Sequence, residues 1–223
     1  MTTTADLDDT AAEVPAQPRK GEGEPSGPGG TGASKAFSVM LIVTGFLGLL
    51  AAWVITLDKL HLLEAKVNQE EFTPACSINP VVSCGDVMES AQAEVFGFPN
   101  PMLGMVAYAS VITIGVALLA GARYRAWFWR GLLAGTAFGV GFCTWLMYQS
   151  LYNIGALCLW CNLVWVVTSV MFWYTVVHNL RHGFVRVPEG LRRGVLEFHW
   201  VLPTVHIGIM GMLILTRWWD FWF

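Results

Sequence analysis

Leu157-Cys158-Leu159-Trp160-Cys161-Asn162 decides how this chain is read. Its two thiols stand three positions apart near the head of a long apolar segment. At a helix start that spacing lets them close into a small, exchangeable disulfide, and a helix N-terminus favours the thiolate, the reactive form. The segment around the pair reads as membrane-spanning. A dithiol at a membrane edge is placed to trade electrons with something lipid-soluble. A second pair, Cys76 and Cys84, lies upstream in a polar stretch.

Working outward, the 223 residues are 55% hydrophobic and 13% charged. Soluble domains carry about 25% charged residues, so the deficit points to the bilayer. The 11 Trp gather at the ends of apolar runs, as interfacial anchors do. A net charge of -3 without a long basic tract argues against nucleic acid as a partner. The five cysteines make two pairs and one remainder.

Residues 1–35, rich in Pro, Gly, Ala and Thr, cannot bury enough apolar surface to fold and read as a disordered cytoplasmic tail. They lack the basic start and immediate apolar run of a signal peptide. Residues 37–57 form a first span, since about 20 residues at about 1.5 Å each cross a hydrocarbon core of about 30 Å. Residues 58–101 are a polar insert with Asp58, Glu64, Glu70, Glu71, Asp86, Glu89 and Glu94 against Lys59 and Lys66. Val87, Ala91 and Val95 recur at helical spacing, so a short amphipathic helix is expected over 83–95. Phe98-Pro99-Asn100-Pro101 breaks the insert and re-enters the membrane.

Further spans follow over 102–120, 126–148, 154–178 and 198–216, the last interrupted by Pro203. A basic turn with Arg123 and Arg125, an uncharged turn over 149–153 and a basic loop over 179–198 join them. The fold class is all-α and polytopic: a core over 36–180, a basic loop over 181–197, and a fifth helix with an aromatic C-terminus over 198–223. With the N-terminus cytoplasmic, both basic connections fall inside and the acidic insert outside, as the positive-inside rule requires. Both cysteine pairs then face outward from a multi-pass cell (inner or plasma) membrane, on the side where disulfides persist.

Cys158 and Cys161 read as a redox-active dithiol; the plainer alternative is two small residues packed in a bundle. For Cys76 and Cys84 the plain reading is a structural disulfide, stabilising by about 2–4 kcal/mol. The other reading is a shuttle that exchanges with a soluble partner and then with Cys158, and the second outer pair favours it. Cys143, alone mid-span, takes no role. A metal is not expected: zinc would need two further ligands, and the insert holds one histidine, His61. Met102, Leu103, Met105, Phe138, Phe142 and Trp145 would suit an apolar ring pocket, or equally line any bundle. Gly135, Gly139 and Gly141 would allow close helix approach. His199 and His206 share a helix face and read as packing rather than haem ligands.

The order of these features resembles the vitamin K epoxide reductase family, bacterial type, over roughly residues 37–180. The loop pair matches Cys76 and Cys84, and the active pair matches Cys158 and Cys161. The family's serine or threonine six residues after the second loop cysteine is met by Ser90, which the resemblance places among the quinone-binding residues with Asn100, Leu103 and Trp165. Its quinone-contacting asparagine is met by Asn100, in Asn100-Pro-Met-Leu103-Gly.

The resemblance implies a four-helix bundle around a quinone, menaquinone or ubiquinone, with the outer insert as a lid. It implies a thioredoxin-fold extracytoplasmic oxidant protein as partner, a Cys84–Cys158 mixed disulfide as intermediate, and Cys161 facing the ring. Vertebrate members have a tyrosine four residues after the second active cysteine, where this chain has Trp165, a donor that cannot accept or ionise. That disfavours epoxide reduction. Because the chain ends after its fifth helix, the partner is expected to be a separate protein. The expected activity is a membrane thiol-quinone oxidoreductase driving disulfide formation in exported proteins. The rivals are a quinone epoxide reductase and a non-enzymatic scaffold with structural disulfides.

Overall fold

The computed structural model describes residues 30–222; of the tail expected over 1–35, residues 1–29 lie outside the described residues. Ser34 opens helix α1 (Lys35–Asn68), its hydroxyl accepting from the Phe37 amide at 3.2 Å. Val39, Val43, Phe46, Leu50, Trp53 and Leu57 are exposed along α1 although apolar. A helix in water would be polar there; a helix in lipid has no need to be. Hydroxyls inside the spans donate to carbonyls of their own helix, as Thr44 does to Met40 and Thr56 to Ala52, each at 2.7 Å.

α1 continues well past the expected span end at Leu57. Its 34 residues measure about 51 Å at about 1.5 Å each, against about 30 Å of hydrocarbon. The extension persists because Leu62 and Ala65 keep a buried stripe and Lys59 finds partners. On it sits a cap made of α2 (Cys84–Glu89) and a 3-10 turn (Ala91–Glu94). The single amphipathic helix expected over 83–95 is therefore broken. Ser90 is extended, and its hydroxyl donates to the Val87 carbonyl at 2.7 Å in place of a continuing helical bond.

The remaining spans are α3 (Asn100–Leu119), α4 (Ala126–Gln149) and α5 (Leu159–Arg181). The expected turn over 149–153 instead winds on as a π-helical turn, Ser150–Ile154. The break falls at Gly155, whose φ of 76° suits a residue without Cβ. The loop over 179–198 contains α6 (Glu189–Glu197), followed by α7 (Val201–Arg217) and a last turn, α8 (Trp219–Trp222). Four helices are long and apolar enough to cross a membrane, and α6 with α7, bent by 73°, make up to a fifth crossing. The protein is an all-α polytopic membrane protein. No strand occurs among the described residues, only isolated bridges.

α1 packs along α3 and α5, and α4 packs along α5. At Gly48 of α1 a Cβ would lie 2.5 Å from the Tyr108 ring of α3. The glycines expected to bring helices together do not all do so. Gly135 and Gly141 have nothing within 4 Å of an added Cβ, and Gly139 alone approaches Thr168. α3 and α4, though joined by a turn, stay apart. That gap leaves room for a cavity. At the end away from the cysteines, Thr31 pairs with Tyr124 in an antiparallel bridge, and the Trp129 indole donates to the Thr31 carbonyl at 3.3 Å.

Candidate active site

Between the cap and the break at Gly155 the backbone forms a short parallel ladder. Leu157 donates to the Val81 carbonyl at 2.7 Å, and Ser83 donates to the Leu157 carbonyl at 3.0 Å. The approach to that ladder is fixed locally by Asn79, whose side-chain oxygen accepts from the amides of Val81 and Val82 at 3.0 and 2.7 Å. Cys84 follows Ser83 and Cys158 follows Leu157, so the ladder sets the two cysteines side by side in sequence register.

Cys76 and Cys84 are joined in a disulfide with Cα atoms 5.6 Å apart. Cys158 and Cys161 are free thiols. Cys76, Cys84 and Cys158 are buried in one apolar cluster with Ile55, Leu62 and Met88, and Cys161 packs against it. Cys158 is the N-cap of α5, and its sulfur accepts from the Cys161 amide at 3.4 Å. Burial keeps water from the sulfurs, while the helix start offers a thiolate its amides.

The two lysines of the insert hold the cap over this cluster. Lys59 is 8% exposed; its ammonium donates to the Met88 carbonyl at 2.7 Å and pairs with Glu94 at 2.8 Å. Lys66 pairs with Glu89 at 3.1 Å, an exposed contact of little energetic weight. Composition showed these lysines only as a minority among acids; their partners are defined by the tertiary fold.

Below the cysteines lies an apolar cavity of about 360 Å³ in the gap between α3 and α4, large enough for a ring of drug size. Cys161, Asn100, Leu103, Trp165, Phe138 and Phe142 all line it. The Asn100 amide nitrogen donates to the Gln92 carbonyl at 2.7 Å, and its oxygen accepts from Val95 at 3.2 Å. Its second amide hydrogen is used by neither of these bonds. Gly131, Gly135 and Gly139, spaced one turn apart on α4, form a side-chain-free wall.

Some expected residues lie elsewhere. Ser90 is committed to the break in the cap and does not line the cavity. Trp145 stacks behind Phe142 at 5.9 Å, Met102 is exposed, and Met105 packs towards α1. His206 accepts from the Trp173 indole at 3.1 Å, and His199 meets the Leu196 carbonyl at 3.1 Å. Among the described residues no group of His, Cys, Asp and Glu could hold a metal.

Sequence reasoning missed one polar group inside the cavity. Tyr108 and Thr168 hydroxyls lie 2.6 Å apart, and the Cys143 thiol lies 3.9 Å from Thr168. Nothing in the local sequence signals it, because the residues come from three helices. The nearest available sign was that Thr168 stands seven residues, two helical turns, beyond Cys161.

A bundle of apolar helices holding a Cys-x-x-Cys between a buried disulfide and an apolar cavity is the architecture of a membrane oxidoreductase. Residues 39–176 match the sequence model of the Vitamin K epoxide reductase family, and the chain belongs to that family. The family is one of oxidoreductases that use a quinone. No curated protein matches the chain.

Proposed function

We propose that this protein oxidises a soluble, extracytoplasmic thioredoxin-fold dithiol protein and delivers two electrons to a membrane quinone, sustaining disulfide formation in exported proteins. The observation that carries the reading is the ladder between 81–83 and Leu157, with Cys84 and Cys158 in one buried cluster and Cys161 on the cavity wall.

The steps are thiol-disulfide exchanges. The partner's dithiol reduces Cys76–Cys84 and leaves oxidised. The Cys84 thiolate attacks Cys158 of a Cys158–Cys161 disulfide, releasing the Cys161 thiolate. Cys76 then attacks Cys84, restoring the loop disulfide and freeing Cys158. The two thiols re-form their disulfide as two electrons and two protons pass to the quinone, giving the quinol. Burial of Cys84 and Cys158 shields the intermediate from outside thiols. Asn100 is assigned to one quinone carbonyl, Leu103 and Trp165 to the ring walls, and Ser90 to positioning of the cap. Trp165, in place of a phenol, supports a quinone rather than its epoxide as acceptor. Both basic connections support a cytoplasmic N-terminus with the cysteines outside, as in bacterial members.

The test is purified protein in lipid, offered a reduced thioredoxin-fold protein and menaquinone or ubiquinone. One quinone is expected to be consumed per dithiol oxidised, with no turnover in Cys84→Ala. Turnover retained in Cys84→Ala rejects the relay.

A further inference from the structure

The polar group missed in the sequence has a chemical consequence when its hydrogens are counted. Thr168 Oγ1 lies 2.6 Å from the Val164 carbonyl and 2.6 Å from the Tyr108 hydroxyl. It has one proton for these two acceptors. With that proton on Val164, Tyr108 donates to Thr168. With it turned to Tyr108, the phenol proton is released to point elsewhere. Rotation about two C–O bonds interconverts the states, and a ligand carbonyl, which accepts and cannot donate, selects the second. The other cavity hydroxyls have no such freedom. Ser110 donates to Val106 at 2.8 Å, and Thr136 is shared between Leu132 and Leu133 at 3.0 and 3.1 Å, all within their own helices.

Packing aims the phenol. A Cβ at Gly48 would meet Tyr108 Cε1 at 2.5 Å, and one at Gly104 would meet Cε2 at 3.6 Å. The ring is therefore held against α1 and laid back over the preceding turn of α3, towards Asn100. Gly104 stands one turn from Asn100, about 6 Å along the axis. Thr168 stands two turns below Cys161 on α5. The cavity thus has an upper polar level at Asn100 and Cys161 and a lower one at Tyr108 and Thr168.

We infer that Tyr108, switched by Thr168, donates the hydrogen bond to the second carbonyl of a 1,4-quinone whose first carbonyl meets Asn100. The inference rests on the quinone reading of the cavity. It supplies from α3 the phenol that is absent at Trp165, and it selects rings carrying two opposed acceptors.

The test is equilibrium binding of a ring-13C-carbonyl-labelled naphthoquinone to the whole protein in lipid, read with its difference infrared spectrum. Tyr108→Phe keeps the ring over Gly48, so the fold is preserved. It is expected to raise Kd about tenfold and to move one of the two carbonyl bands to higher frequency. Thr168→Val removes the acceptor that competes for the phenol proton and is expected to keep the hydrogen-bonded carbonyl band without a rise in Kd; loss of that band in Thr168→Val overturns the switch. A Tyr108→Phe protein with unaltered Kd and unaltered carbonyl bands overturns the inference and leaves Trp165 as the donor. Wild-type protein that binds no quinone overturns the reading of the cavity itself, and this inference with it.

Discussion

The Ser83 amide donates to the Leu157 carbonyl at 3.0 Å, and each of these residues is followed directly by a cysteine. This bond ties the cap to the α5 entrance through backbone, so its geometry is independent of side-chain identity. Ser83→Pro removes the donor. The expected outcome is a loss of about 10²-fold in transfer from the loop pair to Cys158, as for any small misplacement of reacting atoms. Rapid-quench counting of free thiols after one addition of reduced partner measures it, and reduction of Cys76–Cys84 itself should stay fast.

Cys76→Ala, Cys84→Ala, Cys158→Ala and Cys161→Ala are each expected to abolish quinone-coupled turnover. The first two also open a loop with a sequence separation of 8, costing about 2–3 kcal/mol of stability. Cys143 sits on α4 outside the sulfur cluster. The double variant Cys76→Ala, Cys161→Ala should therefore trap a Cys84–Cys158 disulfide whether or not Cys143 is also replaced. Mass spectrometry of the peptide pair reads the result.

Lys59→Met should loosen the cap. The ammonium is buried, but Glu94 is about half-exposed to solvent, so the ion pair is screened and the main loss is the bond to the Met88 carbonyl. About 1–2 kcal/mol of local stability is expected to go. Hydrogen exchange over 84–94 should rise while α3 to α5 stay protected; uniform loss of protection would show a global role instead.

Gly135→Leu fills the cavity from a position where nothing lies within 4 Å of the new Cβ. Helix propensity favours the change by about 1 kcal/mol, so the thermal midpoint should not fall. Quinone binding should weaken at least about tenfold, with thiol exchange between the two pairs unaffected. Unchanged quinone affinity would place the ring elsewhere.

Arg217 of α7 donates from Nε to the Leu151 carbonyl at 2.9 Å, in the π-helical turn that leads to the active cysteines. Arg217→Ala leaves that carbonyl without its charged donor. The residue is largely exposed, so about 1 kcal/mol is expected, or about 2–4 °C in the thermal midpoint of a chain of this size. Calorimetry in detergent, compared with Arg217→Lys, measures it.

Hydropathy and cysteine spacing were enough to read the helical class, the crossings and the four sulfurs, because a span's length and a Cys-x-x-Cys at a helix start are properties of adjacent residues. The apolar pattern marked Leu103, and the family resemblance marked Asn100 and Trp165; all three reach the cavity. Local rules misjudged Gly135 and Gly141, since the same small side chain serves close packing or open space depending on what faces it. They could not join Lys59 to Met88, Ser83 to Leu157 or Tyr108 to Thr168, which are 29, 74 and 60 residues apart. Such contacts depend on how α1, α3 and α5 cross, and that is set by side chains from several helices meeting at once. The kind of protein was thus written along the chain; where its sulfurs meet and which hydroxyls enter its cavity were decided only when the helices packed.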